Sequence, residues 1–241
     1  GFKWDFKEDG SIQILTELNG IAHIRPVERT NDLPGATTDP NEVYEGNRYG
    51  TIVEPHVEAN NHQHFFIYRL DMDIDGVNNS VAEVNSESVP SGPENPFSNT
   101  IIAKMTPFLT EKDAMRDCNA VSGRKWKIMN PAVRNKYGHI SSYMLVPSAG
   151  IKSLAHPGSS LSKRGGCLDY HFWTTPFSDS EKYPAGDYPV SNQKWEGLQK
   201  WTAENRNIKN TDVVNWFVAG TTHIVRPEEW PIMNTHKITI N

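Results

Sequence analysis

Short runs rich in β-branched and aromatic residues recur along the chain between clusters of Gly, Pro, Asn, Asp and Ser. Such runs, bounded by turn formers, are the pattern of an antiparallel all-β protein. The pattern predicts strands over residues 4–6, 11–18, 21–24, 64–73, 80–84, 100–108, 126–130, 141–147, 171–175, 213–225 and 237–240. Asp9-Gly10 between the first two suits a hairpin turn. Helical spacing is confined to two places: Thr110-Glu111-Lys112-Asp113 has the sequence of a capping box, and Trp195, Leu198 and Trp201 recur every three residues. Segments 26–50 and 87–99 are dense in turn formers, so they read as loops or as the tips of long hairpins. The expected class is therefore antiparallel all-β with few short helices.

A chain of 241 residues can bury a single large core or two small ones, and all-β sandwiches commonly reach this size as one domain. No repeat, low-complexity tract or shift of composition argues for a boundary, and one domain is expected. The formal charge of −5 and a pI near 6.0, with Lys and Arg scattered, give no electrostatic reason to expect nucleic acid or an anionic membrane as partner. Neither a long apolar run nor a basic-then-apolar leader is present. Phe2-Lys3-Trp4-Asp5-Phe6 reads as strand from the outset, and Ile238-Thr239-Ile240 closes just as abruptly, so the sequence is expected to be a piece of a longer protein or one chain of a split one. Cys118 and Cys167 permit at most one bridge and leave the compartment open.

Chemistry concentrates in Asn61-His62-Gln63-His64-Phe65-Phe66-Ile67-Tyr68-Arg69-Leu70-Asp71-Met72-Asp73. Residues two apart on a strand share a face, so His62 and His64 project side by side and can bind one metal together. A further ligand is needed, and His23, His56, His139, His156, His171, His223 and His236 are the candidates. Parity puts His62, His64, Phe66, Tyr68 and Leu70 on one face and Arg69, Asp71 and Asp73 on the other. The two carboxylates cannot serve the histidine metal; they suit a separate hard cation or simply a solvated strand end before Asp75-Gly76.

Asn61-His62-Gln63-His64-Phe65-Phe66, with Arg69-Leu70-Asp71-Met72-Asp73-Ile74-Asp75-Gly76 and Asn78-Asn79-Ser80 behind it, resembles the copper-ligand strand of the copper amine oxidases. Thr222-His223-Ile224-Val225-Arg226-Pro227-Glu228-Glu229-Trp230-Pro231-Ile232-Met233 is similar to the segment that carries that family's third copper histidine. Asp179-Ser180-Glu181-Lys182-Tyr183-Pro184 resembles a stretch that precedes its last catalytic strands.

The resemblance implies that residues 1–241 are part of the family's C-terminal catalytic domain, a large antiparallel β-sandwich with long hairpin arms that embrace a second subunit. It implies copper on His62, His64 and His223, with Met233 close by. A second site for calcium or manganese would use Asp71, Asp73 and Asp212 with the backbone carbonyls of Met72 and Val213; the peripheral calcium site of some members is not expected, since Arg206 stands in the acidic neighbourhood where it would sit. Phe2-Lys3-Trp4 resembles the strand that follows the family's trihydroxyphenylalanine quinone, which places the precursor tyrosine before Gly1 and the general base further upstream. No catalytic acid or base is expected within this chain. The parent enzyme would convert a primary amine and dioxygen to aldehyde, ammonia and hydrogen peroxide as a homodimer, in a peroxisome, a periplasm or outside the cell. Two other readings compete: a three-histidine zinc hydrolase or lyase, and a metal-stabilised β-sandwich module, or half of a split oxidase, with no chemistry of its own.

Overall fold

The structure is a computed structural model and describes residues 1–27, 49–147, 150–191 and 196–241, so most of the 26–50 loop reading, and Trp195, lie outside the described residues. The strands are antiparallel and the helices short, as the residue pattern predicts. Two compact units form, one from Gly1–His64 with Thr221–Thr239, the other from Phe65–Gly220 with Ile240–Asn241.

In the first unit, β1 (Phe2–Phe6) pairs with β2 (Ile12–Gly20), setting Trp4 opposite Ile14, and β13 (Met233–Ile240) flanks the other edge of β2. The Asp9-Gly10 turn forms as predicted. The Asp9 carboxylate accepts the Ser11 N–H at 2.9 Å, and Gly10 supplies the positive φ of 83° that side chains resist.

A second small sheet runs β3 (Ile24–Pro26), β5 (Val57–Asn60), β4 (Gly50–Glu54). Neither β4 nor β5 was predicted, and the strand expected over 21–24 begins only at Ile24. What stabilises this sheet is polar: buried Glu58 of β5 is clasped by Arg25 of β3 at 2.9 and 3.0 Å, an ion pair that an apolar pattern does not reveal. Ala22, Ala59, Val225 and Met233 make the unit's apolar cluster.

The second unit holds a four-stranded sheet in the order β10 (Ile140–Leu145), β9 (Lys125–Arg134), β7 (Ser80–Ser88), β8 (Ile101–Pro107). β7 and β8 form a hairpin from Ala82↔Pro107 to Ser88↔Ile101, with the predicted tip between them. Buried Asn95 organises that tip. Its Oδ1 accepts the N–H groups of Asn99 and Thr100, and its Nδ2 donates to the Val89 carbonyl.

A further sheet runs β11 (Phe172–Pro176), β12 (Val213–His223), β6 (His62–Asp71). Residues 213–220 are buried throughout. On one side Trp173, Trp216, Leu198, Val214, Val218 and Cys167 pack into the main core, which takes in α2 (Leu198–Thr202); α1 (Ser160–Arg164) buries none of its residues. On the other, Trp126 of β9 stacks on Phe172 with ring centroids 4.5 Å apart. Cys118 and Cys167 are both free, and burial pushes their thiols up to about 11 and about 12, so they act as small apolar fillers rather than nucleophiles.

Thr110–Asp113 closes as the capping sequence predicts: Asp113 Oδ2 accepts the N–H of Leu109 at 2.9 Å and of Thr110 at 3.0 Å, opening a 3-10 turn over Glu111–Ala114.

Candidate metal centres

At the start of β6 the two-residue period acts as expected. His62 and His64 point the same way, their Nε2 atoms 2.9 Å apart and ring centroids 4.6 Å apart. His62 Nδ1 lies 2.7 Å from the Asn60 carbonyl and donates to it, which leaves the Nε2 lone pair facing His64. Burial lowers the His64 pKa, and the neighbouring His62, His223 and His236 lower it further, which favours the neutral form. A neutral imidazole is the form a metal requires.

His223, the last residue of β12, brings the third ring, with its centroid 4.9 Å from that of His62. One nitrogen from each of His62, His64 and His223 falls within 4.8 Å of the others. The two nitrogens of His223 differ sharply. Nε2 lies 2.8 Å from Glu229 Oε2, whereas Nδ1 is buried with no hydrogen-bond partner among the described residues. An unpaired buried imidazole nitrogen costs on the order of 1–3 kcal/mol. A metal shared with His62 and His64 removes that cost, so the residues fit a cation with imidazole ligands.

Glu229 is the main residue the sequence reading missed. It lies in a 3-10 turn, Pro227–Glu229, with its side chain fully buried. Its Oε2 accepts from His223 and from the Arg226 N–H at 3.0 Å, and its Oε1 accepts from His236 Nε2 at 2.9 Å. Burial pushes the carboxyl up, but the Arg226 N–H and the two imidazoles outweigh it and hold it down at about 2. Of Glu228 and Glu229, only the three-residue offset from Arg226, the reach of a capping side chain, singles out the second. His236 was among the open candidates but does not join His62 and His64; it joins Glu229.

The remaining candidates are dispersed. His23 sits beside His62 with centroids 6.2 Å apart, His56 bonds the Val27 carbonyl, and His171 is buried between Asp117 and the Ile151 carbonyl. Met233 is buried against Ala22, Ala59 and Val225, in a cluster whose Val225 lies two residues beyond His223.

At the far end of β6, Asp71, Asp73 and Asp212 bring one carboxylate oxygen each within 4.8 Å of the others. Burial raises the Asp212 carboxyl, and Asp71 and Asp73 raise it further against the pull of Arg69. The carboxylates repel one another unless a cation lies among them.

The turn after β6 is pinned so that Asp212 meets this cluster. Asn79 exchanges backbone hydrogen bonds with Thr211 at 2.9 and 3.0 Å, and its side chain accepts the Ile74 N–H. Asn130 donates to the carbonyls of Ile74 and Asp75, both at 3.0 Å. Because the Phe177 N–H bonds the Asp212 carbonyl, Val213 pairs with Pro176 without hydrogen bonds, and its carbonyl faces the β6 edge of β12. The Met72 carbonyl accepts the Ile74 N–H at 3.2 Å and keeps its second lone pair. Asn79 and Ser80 thus have structural work here; the Ser80 hydroxyl accepts the Asn210 N–H.

The whole chain, residues 1–241, matches the enzyme domain of the copper amine oxidases, and it belongs to that family. Among curated relatives it is 37% identical over 245 residues to copper amine oxidase 1 of Schizosaccharomyces pombe, covering 98% of this chain and 33% of that protein. It is 34% identical over 242 residues to a peroxisomal copper-containing diamine oxidase of Nicotiana tabacum, covering 98% of this chain and 29% of the relative. The chain therefore spans about a third of the length of the relatives it matches. A copper-containing benzylamine oxidase from Hansenula polymorpha superposes with a TM-score of 0.87 at 26% identity, over 99% of this chain and 36% of the other. The fold is the β-sandwich of this family. Among the described residues, no helix is long and apolar enough to cross a membrane.

Proposed function

We propose that the protein to which this chain belongs oxidises primary amines with dioxygen to aldehyde, ammonia and hydrogen peroxide, and that this chain supplies the copper centre. The observation that carries the reading is the convergence of His62, His64 and His223, with the Nδ1 of His223 buried and without a partner. When bound, copper supplies dioxygen chemistry and the conversion of a tyrosine preceding Gly1 to a trihydroxyphenylalanine quinone, the electron sink for the amine.

The chain's own residues hold and orient. His62 and His64 offer Nε2, His62 being fixed by the Asn60 carbonyl, and His223 offers Nδ1 because Glu229 occupies its other nitrogen. Met233 belongs to the apolar packing close to this centre. Asp71, Asp73 and Asp212, with the carbonyls of Met72 and Val213, form a structural site for calcium or manganese, whose preference for oxygen ligands matches the set. The general base lies outside this chain, and the working protein is a homodimer. Relatives act on diamines and benzylamine by name, so the substrate class here is primary amines at large.

Metal analysis by plasma mass spectrometry with an electron paramagnetic resonance spectrum tests this. One copper per chain with nitrogen-rich hyperfine structure is expected. His223→Ala should lose stable copper, and unchanged copper content in that variant would remove His223 from the ligand set. Zinc in the unmodified protein would overturn the oxidase reading.

A further inference from the structure

We propose that His236 is a positioning residue for the metal centre: through Glu229 it fixes which nitrogen of His223 faces the metal. The inference rests on the copper reading above and extends it to a residue that is not a ligand of that copper.

His236 belongs to β13, whose edge is secured to β2; Lys237, the next residue, pairs with Glu17 at 3.3 Å. The strand period turns His236 to the same side as the buried Ile238 and Ile240. Its Nε2 donates to Glu229 Oε1 at 2.9 Å, and its ring packs on that of His223 with centroids 4.6 Å apart at 52°.

Glu229 has two oxygens with different duties. Oε2 takes His223 Nε2 and the Arg226 N–H; Oε1 takes His236, with the Arg226 guanidinium farther away at 3.8 Å. Remove the His236 donor and Oε1 loses its one close partner among the described residues. The carboxylate is then free to turn about its Cγ–Cδ bond, and the contact that keeps a proton on His223 Nε2 slackens. His223 Nδ1, the atom without a partner, is the ligand only while Nε2 is held as a donor. The missing ring also opens space beside His223, so both the tautomer and the ring angle lose their constraint. His236 keeps 35% of its side chain exposed, so its substitution leaves no large buried void.

The test uses the complete copper-loaded protein and three variants. His236→Ala and His236→Asn withdraw the donor, Asn because it is too short, while His236→Gln places an amide N–H at similar reach. Copper content is measured first, then the parallel hyperfine splitting in the paramagnetic resonance spectrum and the rate of copper loss to excess EDTA. The expected result is a changed splitting and roughly 10-fold faster copper loss for Ala and Asn, with Gln restored toward the unmodified protein. Should Ala not fold, the Asn and Gln pair carries the comparison. Full copper with the same splitting and loss rate in Asn as in the unmodified protein would overturn the proposal and leave the copper reading standing. No copper in the unmodified protein would overturn both.

Discussion

At the scale of single residues, two positions show how closely side-chain identity is set by what lies against it. Gly220 sits in the buried run of β12 where a side chain would ordinarily help, yet a Cβ there would lie 2.7 Å from Cδ1 of the Phe65 ring and 3.0 Å from Ile151 Cγ1. Gly220→Ala is therefore expected to destabilise by about 1–3 kcal/mol, since the ring has to leave its rotamer; urea denaturation with an unchanged slope measures it. Glu229 makes the complementary case. Parity on β6 made the His62 and His64 pair legible in the sequence, because a strand's period of two is independent of context. Glu229 was not legible, since it acts through a one-turn reversal that brings a carboxylate back onto a histidine six residues earlier. No periodicity encodes that return.

Elements show the same division between what pattern reveals and what pairing creates. β8 and β12 were legible over nearly their whole length, and β7 and β9 only over 80–84 and 126–130, where their apolar residues concentrate. β4 and β5 were not, since Pro55-His56 interrupts their alternation and their stability leans on the Arg25–Glu58 pair. A larger polar clamp joins the 3-10 turn at Glu111, the loop after β11 and the segment after α2. There Arg206 donates to Glu111 at 2.7 Å and to Glu181 at 2.7 and 3.0 Å, while its backbone N–H meets Glu111 Oε2 at 2.6 Å. Burial alone would lower the guanidinium pKa, but the two carboxylates outweigh it and raise it, so the cation is permanent. Arg206→Met is expected to cost about 3 kcal/mol, because it leaves two facing carboxylates without their counter-charge. Thermal unfolding midpoints of variant and parent at neutral pH give the comparison; an unchanged midpoint would contradict the clamp.

For the molecule as a whole, the two metal candidates have one origin. β6 carries His62 and His64 at its start and leads to Asp71 and Asp73 at its end; β12 begins after Asp212 and finishes at His223. Gln63 donates to Thr222, and Gly220 faces Phe65, so the strands run antiparallel and each site joins the start of one to the end of the other. The alternation of side chains then keeps the sites chemically apart, with nitrogen donors at one end and oxygen donors at the other, a division that also separates soft-leaning from hard cations. An oxygen site of this kind stabilises by binding only the folded form, so added calcium should raise the unfolding temperature in proportion to the logarithm of its concentration above the dissociation constant. Asp71→Asn combined with Asp212→Asn removes two of the three carboxylates and should abolish that rise without lowering copper content, because the candidate copper histidines lie at the opposite strand ends. Calorimetry with and without millimolar calcium, beside copper analysis of the same samples, separates the outcomes. A calcium response that survives the double substitution would place the ion elsewhere, whereas loss of copper together with the response would mean the shared strand pair transmits damage from one end to the other.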